Sequence, residues 1–290
     1  MTTKRWIKKN AASLSGRVVA VSGSTGGLGR ELCKHIATLG GSLVLIDRNE
    51  HRASKFVEEL KSEFPGLSVI SLIADMSDIE SVKDVADSLC NMPIDYLILN
   101  AGAYNVPRYT TDLGFDNVFQ INFISPYYLA RRLLSGIKQR GGKIIAVGSI
   151  AHNYSKIDEL DVDFSTRKKA SLVYGNAKRY LTYSLFALDG DNIVVTHPGI
   201  SFTGITNHYP KLIYAIIKPP MKLIFMKPKR ASLSIIAGLF LECESGEWIG
   251  PSIFDIWGLP KKKKLATATP DEKNKIAKTA EEIYNKTNKK

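Results

Sequence analysis

The stretch RVVAVSGSTGGLG, residues 17–29, opens with a short β-branched run and breaks into a glycine-rich turn. After it, Leu32, Ile36 and Leu39 recur at helical spacing, so the order is strand, turn, helix. A turn in that place brings backbone N–H groups to the mouth of a helix, where a pyrophosphate is favoured and side chains would obstruct it. Gly23, Gly27 and Gly29 remove the obstruction, and Ser22 and Leu28 complete the cradle. A tight turn without a ligand is the alternative; the strand-then-helix context weighs against it.

The same unit repeats outward from this turn. Strands are predicted over 43–46, 67–73, 95–99, 143–147 and 192–196, with helices over 50–62, 78–90, 112–138 and 171–188 between them. Alternation of this kind with near-continuous apolar strands predicts an α/β fold, a doubly wound parallel sheet with helices on both faces. No composition break divides 15–258, which is read as one domain, flanked by a basic segment over 1–14 and a lysine-rich tail over 259–290. Regularity fails after Pro198: residues 199–228 mix prolines, lysines and apolar side chains and read as a mobile or surface-lying segment. A helix over 231–241 and a last strand over 248–255 follow, and the lysine-rich end reads as a helix or a disordered tail.

Asp47 stands at the end of the second strand, 18 positions after Gly29. A carboxylate there can accept both ribose hydroxyls of an adenosine and repels a 2′-phosphate, which favours NAD over NADP. Arg48 pulls the other way, because a guanidinium pairs with such a phosphate. Helix capping is the simpler role open to Asp47. Farther on, Tyr174-Gly-Asn-Ala-Lys178 opens a helix, and a spacing of four sets phenol and ammonium on one face. The free phenol has a pKa of about 10, so an adjacent ammonium is expected to stabilise its phenolate for work at neutral pH.

Taken in order, Ser22 to Gly29, Asp75, Asn100-Ala101-Gly102, Asn122, Ser149, Tyr174 to Lys178 and Pro198-Gly199 resemble the short-chain dehydrogenase/reductase family over about 15–258. The resemblance implies a Rossmann-type sheet and hydride transfer between a nicotinamide dinucleotide and an alcohol or carbonyl. It makes Tyr174 the general acid/base, Lys178 the group that lowers its pKa and holds the nicotinamide ribose, Ser149 the group that orients the substrate oxygen, and Asn122 the holder of a water in a proton relay. By the same resemblance the Asp75-Met76 corner meets the adenine, Asn100 to Gly102 line the cofactor groove with Pro198 and Gly199, and Thr203 touches the carboxamide. In oxidation a Tyr174 phenolate takes the alcohol proton as hydride leaves carbon, with Ser149 holding the oxygen in line.

This chain departs from the family pattern in detail. Ser22 replaces a more usual Thr, Leu99 a frequent Asn, and Gly148 a frequent Ser. The 25 residues from Ser149 to Tyr174 are about twice the usual gap. With Ser149-Ile150-Ala151-His152, that insertion resembles the retinol-dehydrogenase-like branch. A non-catalytic, dinucleotide-sensing regulatory protein of the same fold is the alternative, and the intact Tyr174, Lys178, Ser149 and Asn122 argue against it.

The chain has 290 residues, 44% of them hydrophobic, enough for a buried core. Its net charge of +12 collects at the ends: residues 1–17 and 261–290 supply eleven of the twelve charges, so the body is nearly neutral and no nucleic-acid partner is expected. The basic ends also lack the interleaved aromatics that stack bases. Lys261 to Lys264 read as solvated chain or as a contact for an anionic membrane. Cys33, Cys90 and Cys243 lie far apart, with no zinc or disulfide spacing. With no apolar signal stretch or spanning segment, a reducing, cytoplasmic setting is expected. Apolar residues over 209–225, punctuated by Lys211, Lys218 and Lys222, lie where the family carries its substrate lid. They imply a lipophilic substrate of retinoid, steroid or long-chain type, and peripheral contact with anionic lipid. Covering the core or a dimer contact is the other role open to them. Family resemblance also makes a homo-oligomer plausible.

Overall fold

In the computed structural model, which describes residues 1–199 and 226–289, β-strands and helices alternate as the sequence predicts. Strands β1 (Val18–Ser22), β2 (Ser42–Asp47), β3 (Val69–Ile73), β4 (Tyr96–Leu99), β5 (Lys143–Val147), β6 (Ile193–Thr196), β7 (Glu247–Ile253) and β8 (Trp257–Lys264) form one sheet. Its order is β3-β2-β1-β4-β5-β6-β7-β8, parallel throughout except for β8, which runs antiparallel to β7.

Side chains alternate across the sheet with the period of two that a strand imposes. Ala20, Val44, Leu97, Ile144 and Val195 point into one layer with helices α4 (Ile79–Cys90), α6 (Ser125–Gln139) and α7 (Ala170–Leu188). Val19, Leu43, Ile98, Ile145 and Val194 point into the other, with α1 (Thr3–Asn10), α2 (Gly27–Thr38) and α3 (Glu50–Glu63). A sheet covered on both faces buries its inner strands, which is why β1, β2 and β4 to β6 read as near-continuous apolar runs, while the edge strands β3 and β8 are partly exposed.

Several expectations are corrected. The helix predicted from 112 starts later, because Gly114 at φ +83° turns the chain into a Thr110–Asp116 bridge and Asp116 then caps α5 (Asn117–Phe119). Between α5 and α6 the chain widens into a π-helical turn, Gln120–Ile124. The basic segment at the N-terminus contains α1, with Trp6 and Ile7 buried. The lysine-rich end is neither loose nor disordered over its described length. Lys261 to Lys264 lie in β8, paired backbone to backbone with residues of β7, and Pro270–Lys289 is a helix that buries Ile276, Ala280 and Ile283. A sheet ladder uses main-chain groups, so four lysines in a row can join one while their ammonium groups stay near water. Two short helices, α8 (Pro228–Ala231) and α9 (Leu233–Phe240), precede β7, and α10 is the terminal helix Pro270–Lys289.

Candidate active site

Strand order reverses between β1 and β4, so their connections leave in opposite directions and open a crevice at the strands' carboxyl ends. The walls of that crevice are stitched together. Ser22 Oγ accepts from the Asn100 and Ala101 N–H groups, both at 3.0 Å, and Asn100 Nδ2 donates to the Ser22 and Gly23 carbonyls, also at 3.0 Å. Gly23 sits at φ +68°, and a Cβ there would come within 2.9 Å of the Ala101 Cα. At Gly29 a Cβ would overlap the Gly23 carbonyl oxygen, so the turn folds onto the first turn of α2 only without side chains.

The start of α2 fits a phosphate. α3 and α4 are capped by the Asn49 and Asp78 side chains, but α2 begins after Gly26 with no side-chain cap and no acid in its first turn. Among the described residues its first N–H groups, including those of Leu28 and Gly29, therefore have no side-chain cap, and the nearest atom a Cβ on Gly27 would meet is Pro228 Cγ at 4.0 Å.

Asp47 is buried, and its carboxylate holds the turn: it accepts from the Ser24 hydroxyl, from Thr25 N at 3.0 Å and from Thr25 Oγ1 at 2.8 Å. It does not cap α3, a role taken by Asn49. Arg48 is exposed beside it, and Arg52, which sequence reasoning missed, donates to the Thr25 carbonyl at 3.3 Å. At the end of β3, Asp75 Oδ1 accepts from Ser77 N and Oγ at 2.8 and 2.7 Å, and the Met76 carbonyl accepts from Ser125. Pro198 and Gly199 follow β6 on the same side of the sheet, with Gly199 at φ +78°. Thr203 and most of the 199–228 segment lie outside the described residues.

The chemistry-bearing side chains meet next to this groove. Ser149, two residues past β5, caps a 3₁₀ turn, its Oγ accepting from Ala151 N at 3.2 Å, and its side chain faces the Tyr174 hydroxyl, lowering that phenol's pKa. Lys178, one turn along α7, is buried, donates to the Val147 carbonyl at 2.8 Å and lies 5.7 Å from the centre of the Tyr174 ring. Asn122 sits in the π-helical turn, a wider coil that recurs at functional sites. Its amide nitrogen donates to the Ala103 and Val118 carbonyls, both at 2.8 Å, and its oxygen accepts from Ala103 N at 3.3 Å. A Cβ on Gly102 would lie 2.8 Å from that oxygen and 3.7 Å from Lys178 Nζ, which shows how tightly the three meet.

The electrostatics differ from the expectation that Lys178 lowers the Tyr174 pKa. Burial pushes the Tyr174 phenol up to about 12; the Ser149 hydrogen bond pulls it down, and the phenols of Tyr154 and Tyr104 push it up. Burial lowers the Lys178 ammonium to about 7. Lys178 spends its proton on a carbonyl and sits over the ring face, and a half-neutral amine is a weak partner for a phenolate. Tyr104, which packs edge-on against Tyr174 with ring centres 5.3 Å apart, was not legible in the sequence, because no spacing links it to that helix.

Over residues 17–159 the chain matches the pattern of the short chain dehydrogenase family, a family of oxidoreductases. It is 27% identical over 238 residues to the mouse (Mus musculus) protein named polyprenol dehydrogenase, a match covering 76% of this chain and 70% of that one. It is also 28% identical over 209 residues to human (Homo sapiens) retinol dehydrogenase 13, covering 68% of this chain and 62% of that one. Among solved structures, a putative uncharacterized protein from Mycobacterium Paratuberculosis superposes with a TM-score of 0.70 at 20% identity, over 96% of this chain and 94% of the other. L-Sorbose reductase from Gluconobacter frateurii, complexed with NADPH and L-sorbose, gives 0.60 at 22% identity, over 78% and 90%. These likenesses establish the fold.

The depressed value at Lys178 carries a stability consequence. The folded value lies below the ordinary 10.5, so the contribution of the neutral amine is complete above that value and is lost as pH falls toward about 7. At neutral pH Lys178→Met is expected to raise Tm by about 2–4 °C, the response to roughly 1 kcal/mol in a domain of this size. The gain should shrink as pH is raised toward 10, and kcat should fall by about 100-fold. A lower Tm for Lys178→Met in differential scanning calorimetry at neutral pH contradicts this account.

Proposed function

We propose that this chain interconverts an alcohol and a carbonyl by hydride transfer with a nicotinamide dinucleotide, and that Tyr174 moves the proton. The observation that carries the reading is the Tyr174 phenol facing the Ser149 side chain, with Lys178 Nζ 5.7 Å from its ring, beside a crevice whose helix mouth has no side-chain cap among the described residues. The dinucleotide supplies or accepts the hydride when bound. Its pyrophosphate fits the N–H groups over Gly27 to Gly29, its adenosine the Asp47 and Asp75 corner, and its nicotinamide half the side of Gly102, Lys178 and Gly199.

With its phenol raised to about 12, Tyr174 is protonated at neutral pH. The site therefore rests in the form that gives a proton to an alkoxide, the step that completes carbonyl reduction, and Ser149 donates to the same oxygen. Lys178 serves by holding the nicotinamide ribose and, when charged, by favouring the phenolate left behind. Asn122 fixes the Ala103 loop and with it the floor at Gly102.

NAD is the preferred dinucleotide in this reading. Asp47 puts a buried negative charge where a 2′-phosphate would arrive, and its three bonds leave the carboxylate one acceptor position for a ribose hydroxyl. The exposed Arg48 and Arg52 oppose that preference without removing the carboxylate. Resemblance to proteins named retinol and polyprenol dehydrogenase, with Tyr104 and the half-exposed Tyr154 bordering Tyr174, supports a lipophilic substrate. No described helix is long and apolar enough to cross a membrane. Contact with anionic lipid through the basic ends, where α1 exposes Lys4, Arg5, Lys8 and Lys9, fits such a substrate.

Tyr174→Phe should keep dinucleotide affinity and lose turnover by roughly 10²–10⁴ in a panel of decanal, all-trans-retinal and the matching alcohols, followed at the nicotinamide absorbance. Retained turnover sinks the mechanism. Asp47→Ala should raise the NADP-to-NAD ratio of kcat/KM by about tenfold or more, and an unmoved ratio shows that Asp47 does not select the cofactor. The protein should co-sediment with phosphatidylserine vesicles at low salt and not with phosphatidylcholine vesicles; equal recovery from both ends the lipid reading.

A further inference from the structure

Ser149 is held from below by a buried chain of donors that begins at Tyr183 on α7 and passes through Thr267 of the C-terminal segment. The Ser149 carbonyl accepts from His152 Nδ1 at 2.7 Å, and a carbonyl can only accept, so Nδ1 carries the proton. Burial lowers the His152 pKa, the Ser149 carbonyl opposes that shift and Arg179 adds to it, so the ring is neutral and its Nε2 is an acceptor. The group opposite Nε2, at 3.0 Å, is the Thr267 hydroxyl, which bonds in turn to the Tyr183 hydroxyl. The directions are then settled along the whole chain: Tyr183 to Thr267, Thr267 to His152, His152 to the Ser149 carbonyl.

A second, charged clasp holds the same segment. Arg179, next to Lys178 on α7, donates to the His152 carbonyl at 2.9 Å and the Thr267 carbonyl at 2.6 Å. Its guanidinium also takes the Glu272 carboxylate with two bonds, at 2.6 and 2.7 Å, both side chains being buried. Glu272 lies in the first turn of α10. The link between β8 and α10 is thus fastened both to the turn that presents Ser149 and to the helix that presents Tyr174 and Lys178.

We propose that Thr267 is a positioning residue for the reaction: through His152 it fixes the Ser149 carbonyl, and so the hydroxyl that meets the Tyr174 phenol. The proposal rests on the roles given above to Ser149 and Tyr174. Arg179 and Glu272 secure the segment that carries Thr267, and the threonine hydroxyl supplies the directional bond. Removing that hydroxyl leaves Nε2 buried without a donor, which lets the ring and the Ser149 turn relax.

The test uses the full-length, dinucleotide-loaded protein with Thr267→Val, which keeps the shape and removes the hydroxyl, and Thr267→Ser, which restores it. Amide exchange needs no substrate. In Thr267→Val the Gly148–Tyr154 peptide should exchange about tenfold faster while Gly23–Arg30 is unchanged, and Thr267→Ser should restore protection. With decanal, Thr267→Val should lower kcat about tenfold with KM within about twofold, the mark of a misplaced group rather than a lost binding contact. Unchanged exchange and kcat overturn the proposal, as does a loss spread evenly over both peptides and Tm that serine does not reverse. Turnover retained by Tyr174→Phe would instead discredit the reading of the site, and the exchange comparison would still decide whether Thr267 holds the Ser149 turn.

Discussion

Two hydrogen bonds to one serine hydroxyl decide where this protein has its crevice. Ser22 Oγ takes the Asn100 and Ala101 N–H groups just past the ends of β1 and β4, neighbours whose connecting chains then diverge. The Ala101 N–H has left the sheet ladder and would otherwise need water or a ligand, while the Asn100 N–H also reaches the Ile98 carbonyl at 3.1 Å. Because the hydroxyl satisfies both, the two strand ends approach until only glycine fits at 23, and the α2 N–H groups remain for an incoming anion.

Around Tyr174 the protein treats buried charge in two opposite ways within one helical turn. Lys178 is buried with no carboxylate against it, so desolvation disfavours its ammonium although the Val147 carbonyl accepts from it. Arg179, the next residue, faces the other way into a carboxylate and two carbonyls. A fully paired buried guanidinium contributes definition of geometry more than net stability, whereas an unpaired ammonium is a cost carried for a purpose. The pairing of the two along one helix separates the labile proton of the site from the fixed charge of its scaffold.

The sheet and the catalytic helix were legible because each depends on local pattern. Apolar runs over 43–46 and 143–147 match β2 and β5 within a residue, and 171–188 differs from α7 by one. The glycine turn was legible in the same way, since Gly29 is demanded by contacts with Gly23 and Ser24 and Gly23 by its φ of +68°, although the close approach at Gly23 is to Ala101 across the crevice. What the sequence did not reveal are meetings between distant segments. Asp47 reads as a ribose acceptor when seen alone, and only the fold shows Ser24 and Thr25 on its carboxylate. Likewise Tyr104 reaches Tyr174, and Thr267 reaches His152, across 70 and 115 positions that no periodicity connects. The direction of the Tyr174 shift was misjudged for a related reason. Spacing places Lys178 on the right face but is silent on the burial that raises the phenol and depresses the ammonium.

The lysine-rich end shows how composition misleads when backbone does the binding. An open sheet terminating at β7 would present unpaired N–H and C=O groups, a template for another chain. β8 covers that edge, and its own outer side is the run Lys261 to Lys264, whose charges discourage further pairing. Lys263 also reaches back to the Pro251 carbonyl and the Asp255 carboxylate at 2.9 and 2.7 Å, tying the hairpin closed. From there the chain can only return across α7, which brings Thr267 and Glu272 beneath the active-site turn. The cover on the sheet edge and the clasp under Ser149 are therefore consecutive parts of one segment, and the charge that marks its sequence belongs to the first of them.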